Sequence, residues 1–280
     1  MRMPSELASL PLGTLRARDV MRSDSLRGSF RALFRRGVRH VDERVQKWKA
    51  NSELDSLFIV ALPRSLSSTI YQAARRCLTL QEPRWTSDGE FLNVDRFVLI
   101  PGSPDVGQKY LSKGSDGALF TRISEFADQI VVPRGFAYKD VVQPFLIRQW
   151  LKSNPFPVLK VTRNVADVAL SMLAHHWHYP ARLFPQAETI EMGVVQGLLR
   201  AQDALDSIPG IDVDFDALIS DEEHLYAALA SLYGERVTVK KIKYIDSQFK
   251  ERAEQILRRR ATQQYGLILD CINRARLSIA

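Results

Sequence analysis

The chain has 280 residues, 45% hydrophobic, 25% charged and 9% aromatic, with only two cysteines. Those proportions exclude a disordered chain, a collagen-like repeat and a disulfide scaffold. Cys77 and Cys271 form no CxxC or Cys/His pattern, so no zinc site is read. No apolar run reaches the roughly 18 residues of a bilayer span, and the N-terminus lacks the apolar core of a secretory signal. The expected setting is therefore the cytoplasm.

The net charge of +7 is unevenly placed: residues 1–50 hold twelve Lys/Arg against five Asp/Glu, and the other 230 residues hold 27 of each sign. The chain thus divides into a basic N-terminal extension over residues 1–50 and a balanced body over 51–280. Within the extension Phe30, Leu33, Phe34, Val38, Val41 and Val45 recur at helical spacing between Arg31, Arg35, Arg36, Arg39 and Arg44. Two readings stand side by side: a basic amphipathic helix facing an anionic surface, or a helix packed on the body with its arginines in solvent. No stable nucleic-acid partner is expected.

The body opens on a continuous apolar run at 57–62, the pattern of a strand buried on both faces. It ends in Pro63-Arg64-Ser65-Leu66-Ser67-Ser68-Thr69, and a periodic stretch from Ile70 to about Leu80 predicts a helix. Residues 97–100 predict a strand, 101–117 a Gly- and Pro-rich loop, 118–130 a helix and 140–152 another. Val158–Thr162 predicts a second strand, turning at Arg163-Asn164 into a helix from about Ala166 to His175. After a loop at 178–187 come helices over 188–207, 221–233 and 247–275, with a strand at Ile211–Phe215 before the second of them. Strands alternating with helices predict an α/β fold with a central parallel sheet flanked by helices.

Two segments carry anion chemistry. In the first, a buried strand feeds a tight loop that opens a helix, so backbone N–H groups and the positive dipole end meet Arg64 and a row of hydroxyls. Without GxxxxGK[ST] it is no NTPase P-loop, and Ser67 or Ser68 as a plain N-cap is the alternative. In the second, Arg163 closes a strand and Ser171 follows eight residues later inside a helix, a weak signal by itself.

Together the two segments resemble the nucleotide-binding signatures of the sulfotransferases that use 3′-phosphoadenosine 5′-phosphosulfate (PAPS). The first signature, a strand followed by P-[RK]-[ST]-G-[ST]-[ST], is similar to Pro63-Arg64-Ser65-Leu66-Ser67-Ser68. The second, a strand ending in Arg with a Ser eight residues on, is similar to Arg163-Asn164-Val165-Ala166-Asp167-Val168-Ala169-Leu170-Ser171. Val213-Asp214-Phe215-Asp216-Ala217-Leu218 resembles a further family segment, so the likeness spans about residues 55–235. Leu66 departs from the family glycine, which predicts a reshaped loop, weaker cofactor binding or a chain that has lost turnover.

The resemblance implies that Arg64, Ser65, Ser67, Ser68 and Thr69 hold the 5′-phosphosulfate of PAPS and that Arg163 and Ser171 hold the 3′-phosphate, with PAP as the product. It implies sulfuryl transfer to an acceptor hydroxyl or amine by in-line displacement. Lys139 and Arg64 then oppose the charge of the leaving oxygen. No histidine lies between Val41 and Ala174, so the base expected is the carboxylate of the tyrosylprotein and Golgi-type branch. Glu90, 26 residues after Arg64, is the candidate, with Asp88 its rival. His175, His176 and His178 around Trp177 fit acceptor lining better than a metal, and no metal is expected. Lys240, Lys241 and Lys243 are candidates near the adenine. The acceptor class is open between sugar, peptide and small molecule. The rival functions are a PAP- or nucleotide-binding protein without turnover, and a basic adaptor acting through residues 16–49.

Overall fold

The computed structural model describes residues 54–83, 89–91, 132–141, 144–238 and 243–279. The basic extension over 1–50, its segment 16–49, the strand at 97–100, the loop at 101–117, the helix at 118–130, Asp88, Lys240 and Lys241 lie outside the described residues.

Four strands form one sheet: β1 (Leu57–Ala61), β2 (Ala137–Asp140), β3 (Val158–Thr162) and β4 (Ile211–Asp214), in the spatial order β2-β1-β3-β4. All three neighbouring pairs are parallel, with Phe58 opposite both Tyr138 and Val158. Every residue of β1 is buried, as expected for a central parallel strand covered on both faces. Side chains alternate between two cores. Phe58, Val60 and Leu62 enter one with Phe136, Tyr138, Trp150 and Met172, and Leu57, Ile59 and Ala61 enter the other with Ile70, Tyr71, Leu159 and Phe215. The first core is closed by α2 (Pro144–Ser153), α3 (Val165–Leu173), α4 (Ile190–Asp206) and α8 (Gln263–Ile279), the second by α1 (Ser67–Cys77), α5 (Phe215–Ser220), α6 (Glu223–Tyr233) and α7 (Lys243–Arg260). The α/β expectation of a parallel sheet between helical layers is met.

Several boundaries differ from the sequence reading. The first helix starts at Ser67 rather than Ile70, because Leu66 takes up the left-handed turn (φ 54°) that opens it. The helix expected over 140–152 begins only at Pro144, and residues 137–140 are instead strand β2. Phe215 opens α5 rather than ending a strand, since the Asp214 side chain caps that helix by accepting from the Ala217 amide. The long helix expected over 247–275 is two helices, α7 and α8, broken between Arg260 and Gln263.

The chain runs from β1 to β2 on one side and later to β3 on the other, so the sheet order reverses at β1. In open parallel sheets the crevice at the carboxyl ends of strands on either side of such a reversal is where ligands settle. Arg64 follows β1 and Arg163 follows β3, and both therefore stand at that crevice.

Candidate functional site

The turn after β1 is unusual in its backbone. Arg64 (φ 65°) and Leu66 (φ 54°) are both left-handed non-glycine residues, a conformation that costs roughly 1–2 kcal/mol for an L-residue. Leu66, where the resembled signature carries glycine, adopts the left-handed conformation that glycine takes without a side-chain penalty, so this turn holds strain. The first turn of α1 carries no acidic residue, and Leu66 offers no side-chain cap. The N-cap position is thus taken by Leu66 rather than by Ser67 or Ser68, and Leu66 brings no side-chain cap to the positive end of α1.

Arg163 braces this turn: its NH1 donates to the Arg64 carbonyl, and its guanidinium lies 4.3 Å from the Phe215 ring centroid. The Arg163 side chain is 5% exposed, its Nε has no hydrogen-bond partner, and neither has the fully buried Ser65 hydroxyl. Buried polar atoms are nearly always paired in folded proteins, so orphans that gather at one turn mark a place prepared for something else.

Arg64 itself reaches the helix after β3. Its Nε donates to Ser171 Oγ over 3.2 Å, and its NH2 lies 3.3 Å from His175 Nε2. His175 Nδ1 lies 2.8 Å from the Ser171 carbonyl, which can only accept. The neutral imidazole therefore keeps its proton on Nδ1 and turns its Nε2 lone pair to the arginine. Beyond α3 the Trp177 amide returns to the Met172 carbonyl and the His176 amide to Leu173, with His176 at φ 55°. This Schellman closure reverses the chain and sets the Trp177 ring 5.1 Å from the Arg64 guanidinium. The next turn, Tyr179–Leu183, lies on α4 where Gly197 has no side chain, and a Cβ there would collide with the Pro180 carbonyl.

A second group sits on the β2 side. Lys139, 5% exposed, donates to Ser68 Oγ over 2.8 Å, and its Nζ lies 3.3 Å from Glu90 Oε2. Glu90 is delivered by a short parallel bridge to β2, in which the Lys139 amide donates to the Gly89 carbonyl and the Phe91 amide to the Lys139 carbonyl. Gly89 takes φ 71° against the Tyr71 ring, where any side chain would clash. Glu90 raises the Tyr179 hydroxyl and Arg64 lowers it, both secondary to its burial, so the carboxylate and the arginine act on one buried phenol.

The positive charge is concentrated. Burial pushes the Arg163 guanidinium down to about 10, with Asp167 opposing and Arg252 and Arg259 adding to the shift. Arg64 is lowered by burial, then by the same two arginines, and Arg252 by burial and Arg259. Phe249, Arg252, Ile256 and Arg259 recur at helical spacing, and the two apolar members are buried against the body. The sequence reading had placed the C-terminal basic contribution on Lys240, Lys241 and Lys243 and missed Arg252 and Arg259, although their register with Phe249 and Ile256 was there to be read. Arg252 and Arg259 together lower both Arg64 and Arg163, a concentration of positive charge that suits an anion of more than one charge.

The residues expected to act together are thus brought together. Arg64, Ser171 and Arg163 converge, Ser65 stands in the turn with Arg64, Ser67, Ser68 and Thr69 form the first turn of α1, and Lys139 with Glu90 meets Ser68. Among the described residues no group of three or more His, Cys, Asp or Glu is placed to hold a metal, and no helix is long and apolar enough to cross a membrane.

No family model matches the chain, and no curated protein matches it. Among solved structures the chain is similar to the sulfotransferase domain from the curacin biosynthetic pathway, at 13% identity over 79% of this chain and 99% of that one, with a TM-score of 0.41. It is also similar to a sulfotransferase from Alicyclobacillus acidocaldarius, at 15% identity over 78% of this chain and 96% of that one, with a TM-score of 0.40.

Proposed function

We propose that the chain is a sulfotransferase that takes its sulfuryl group from PAPS and passes it to an acceptor hydroxyl or amine. The observation that carries the reading is the convergence of Arg64, Arg163 and Ser171 at the switch point of the sheet, beside orphaned buried donors and the uncapped start of α1. Such a donor set fits a nucleotide with phosphate or sulfate at two positions. Arg64, Ser65, Ser67, Ser68 and Thr69 would hold the 5′-phosphosulfate, and Arg163, Ser171, Arg252 and Arg259 the 3′-phosphate.

PAPS supplies an activated sulfuryl group, and displacement leaves PAP. The protein's part is to place and neutralise, as in phosphoryl transfer. Arg64 and Lys139 oppose negative charge growing on the leaving oxygen. Glu90 accepts the acceptor's proton as general base, and Lys139 at 3.3 Å holds its carboxylate in place. Trp177, half-exposed beside Arg64, and His175 line the acceptor side.

A sulfur-labelled PAPS assay against pooled sugars, small alcohols, amines and peptides tests this reading. Labelled product with the native chain, and its loss in Glu90→Gln and Arg64→Ala, supports it. Label that reaches none of the pools, while PAP still binds, supports instead a nucleotide-binding protein without turnover.

A further inference from the structure

Helix α7 reaches the site through no backbone pairing to the sheet, and it brings two arginines towards two more. Repulsion among Arg64, Arg163, Arg252 and Arg259 acts to push α7 away, since Arg252 and Arg259 lower the guanidinium values of the other two. Phe249 and Ile256 anchor it by burial in the second core, and the last residue of the helix adds a charged tie against that repulsion. Arg260 donates from Nε to Asp167 Oδ1 over 3.2 Å, from NH2 to Asp167 Oδ2 over 2.5 Å, and from NH2 to Asp216 Oδ2 over 2.7 Å. The Asp167 side chain is 2% exposed and Asp216 is half-exposed. Both aspartates stand in the first turns of their helices, α3 and α5, where a carboxylate is favoured by the helix dipole. One guanidinium therefore ties the end of α7 to the starts of the two helices that follow β3 and β4. A bidentate fork on a buried carboxylate is the strong form of ion pair.

We propose that Arg260 is a positioning residue: by clamping Asp167 and Asp216 it docks α7 so that Arg252 and Arg259 complete the anion site. The proposal rests on the sulfotransferase reading for its ligand, and on the clamp geometry alone for the docking. Arg260 acts through α7. Three of its hydrogen bonds go to the two aspartates, and Arg259, the preceding residue, and Arg252, about two turns back on the same helix, are the groups it presents.

The test uses the full chain and PAP as the probe. In calorimetry, Arg260→Gln weakens PAP binding about tenfold or more, because two charge-assisted contacts are misplaced. Arg260→Lys recovers only part of the loss, since lysine keeps the charge but not the fork. In a chain already carrying Arg252→Ala and Arg259→Ala, Arg260→Gln weakens binding no further, because there is nothing left for it to position. A merely structural arginine would cost the same in both backgrounds, and that result overturns the proposal.

Because Arg260→Gln strands a buried carboxylate, the pair Asp167→Asn with Arg260→Gln is made as well, and the same pattern of affinities is expected from it. Hydrogen exchange of residues 243–260 without nucleotide tests docking separately. Faster exchange in the variants than in the native chain supports the clamp even if the native chain fails to bind PAP, an outcome that would sink the sulfotransferase reading alone. Unchanged exchange in Arg260→Gln overturns the clamp whatever PAP does.

Discussion

Arg64 and Ser171, 107 residues apart, meet through a 3.2 Å hydrogen bond from the guanidinium Nε to the hydroxyl. The turn after β1 and the helix after β3 thereby become one site, and Arg163 fastens the same turn from beneath through the Arg64 carbonyl. Each half alone is a strand-turn-helix with one arginine at its turn. Joined, they put two arginines and an uncapped helix start around one crevice.

Arg64 uses the geometry of its fork, since Nε and NH2 serve different partners, Ser171 and His175. Arg64→Lys keeps the charge but cannot span both. The expected result is a loss of PAP affinity of about tenfold for Arg64→Lys and more for Arg64→Ala, measured by calorimetry, with circular dichroism unchanged. Equal affinity of the lysine variant and the native chain would contradict the role given to the fork.

The strain at Leu66 predicts an ordering of variants. Leu66→Ala loses packing and keeps the left-handed penalty, whereas Leu66→Gly loses the same packing and is relieved of it. Leu66→Gly should therefore be the more stable of the two by about 1 kcal/mol, read from urea midpoints. PAP affinity in Leu66→Gly should be retained or improved.

Arg163 is charged where burial resists the charge. Arg163→Met is expected to leave the unfolding temperature unchanged or raise it while weakening PAP binding about a hundredfold, the usual opposition between stability and function at a site. The pH dependence has a definite sign. With a folded value near 10, below the ordinary guanidinium value, the native state binds fewer protons than the unfolded state between the two. This group's contribution to stability therefore rises with pH across that window. Affinity moves the other way: PAP binding falls as pH climbs through about 10, because the site loses a positive charge. Arg163→Met should show a shallower fall.

Lys139 and Glu90 are buried partners, at 6% and 13% side-chain exposure. Removing either alone, by Lys139→Met or Glu90→Gln, leaves the other desolvated and should cost about 3 kcal/mol, and the double variant should cost less than the two singles summed. Chemical unfolding of all four chains checks this. Additive losses would mean that the pair is not coupled.

Much of this was legible from residues alone, for physical reasons. Run 57–62 is wholly apolar and 158–162 half so because parallel strands are buried on both faces, and the turns that follow them carry the arginines because helix starts favour anions. Strand β2 escaped notice because half of it is Lys139 and Asp140, charges that the sheet buries rather than expels, Lys139 against Glu90 and Ser68. The start of α1 was read three residues late because Ser67, Ser68 and Thr69 read as loop, and a left-handed leucine is not a pattern that sequence announces. Arg252 and Arg259 were passed over because a charged amphipathic helix looks like a solvated face until something shows which side it packs on. The Arg260 clamp depends on three helices meeting, and no local spacing encodes that.

The most direct measurement is a calorimetric titration of the full chain with 3′,5′-ADP (PAP) beside 5′-AMP, repeated on Arg163→Ala. The account predicts tight binding that requires the 3′-phosphate in the native chain and collapses in the variant. Equal binding of the two nucleotides, or binding of neither, would contradict it.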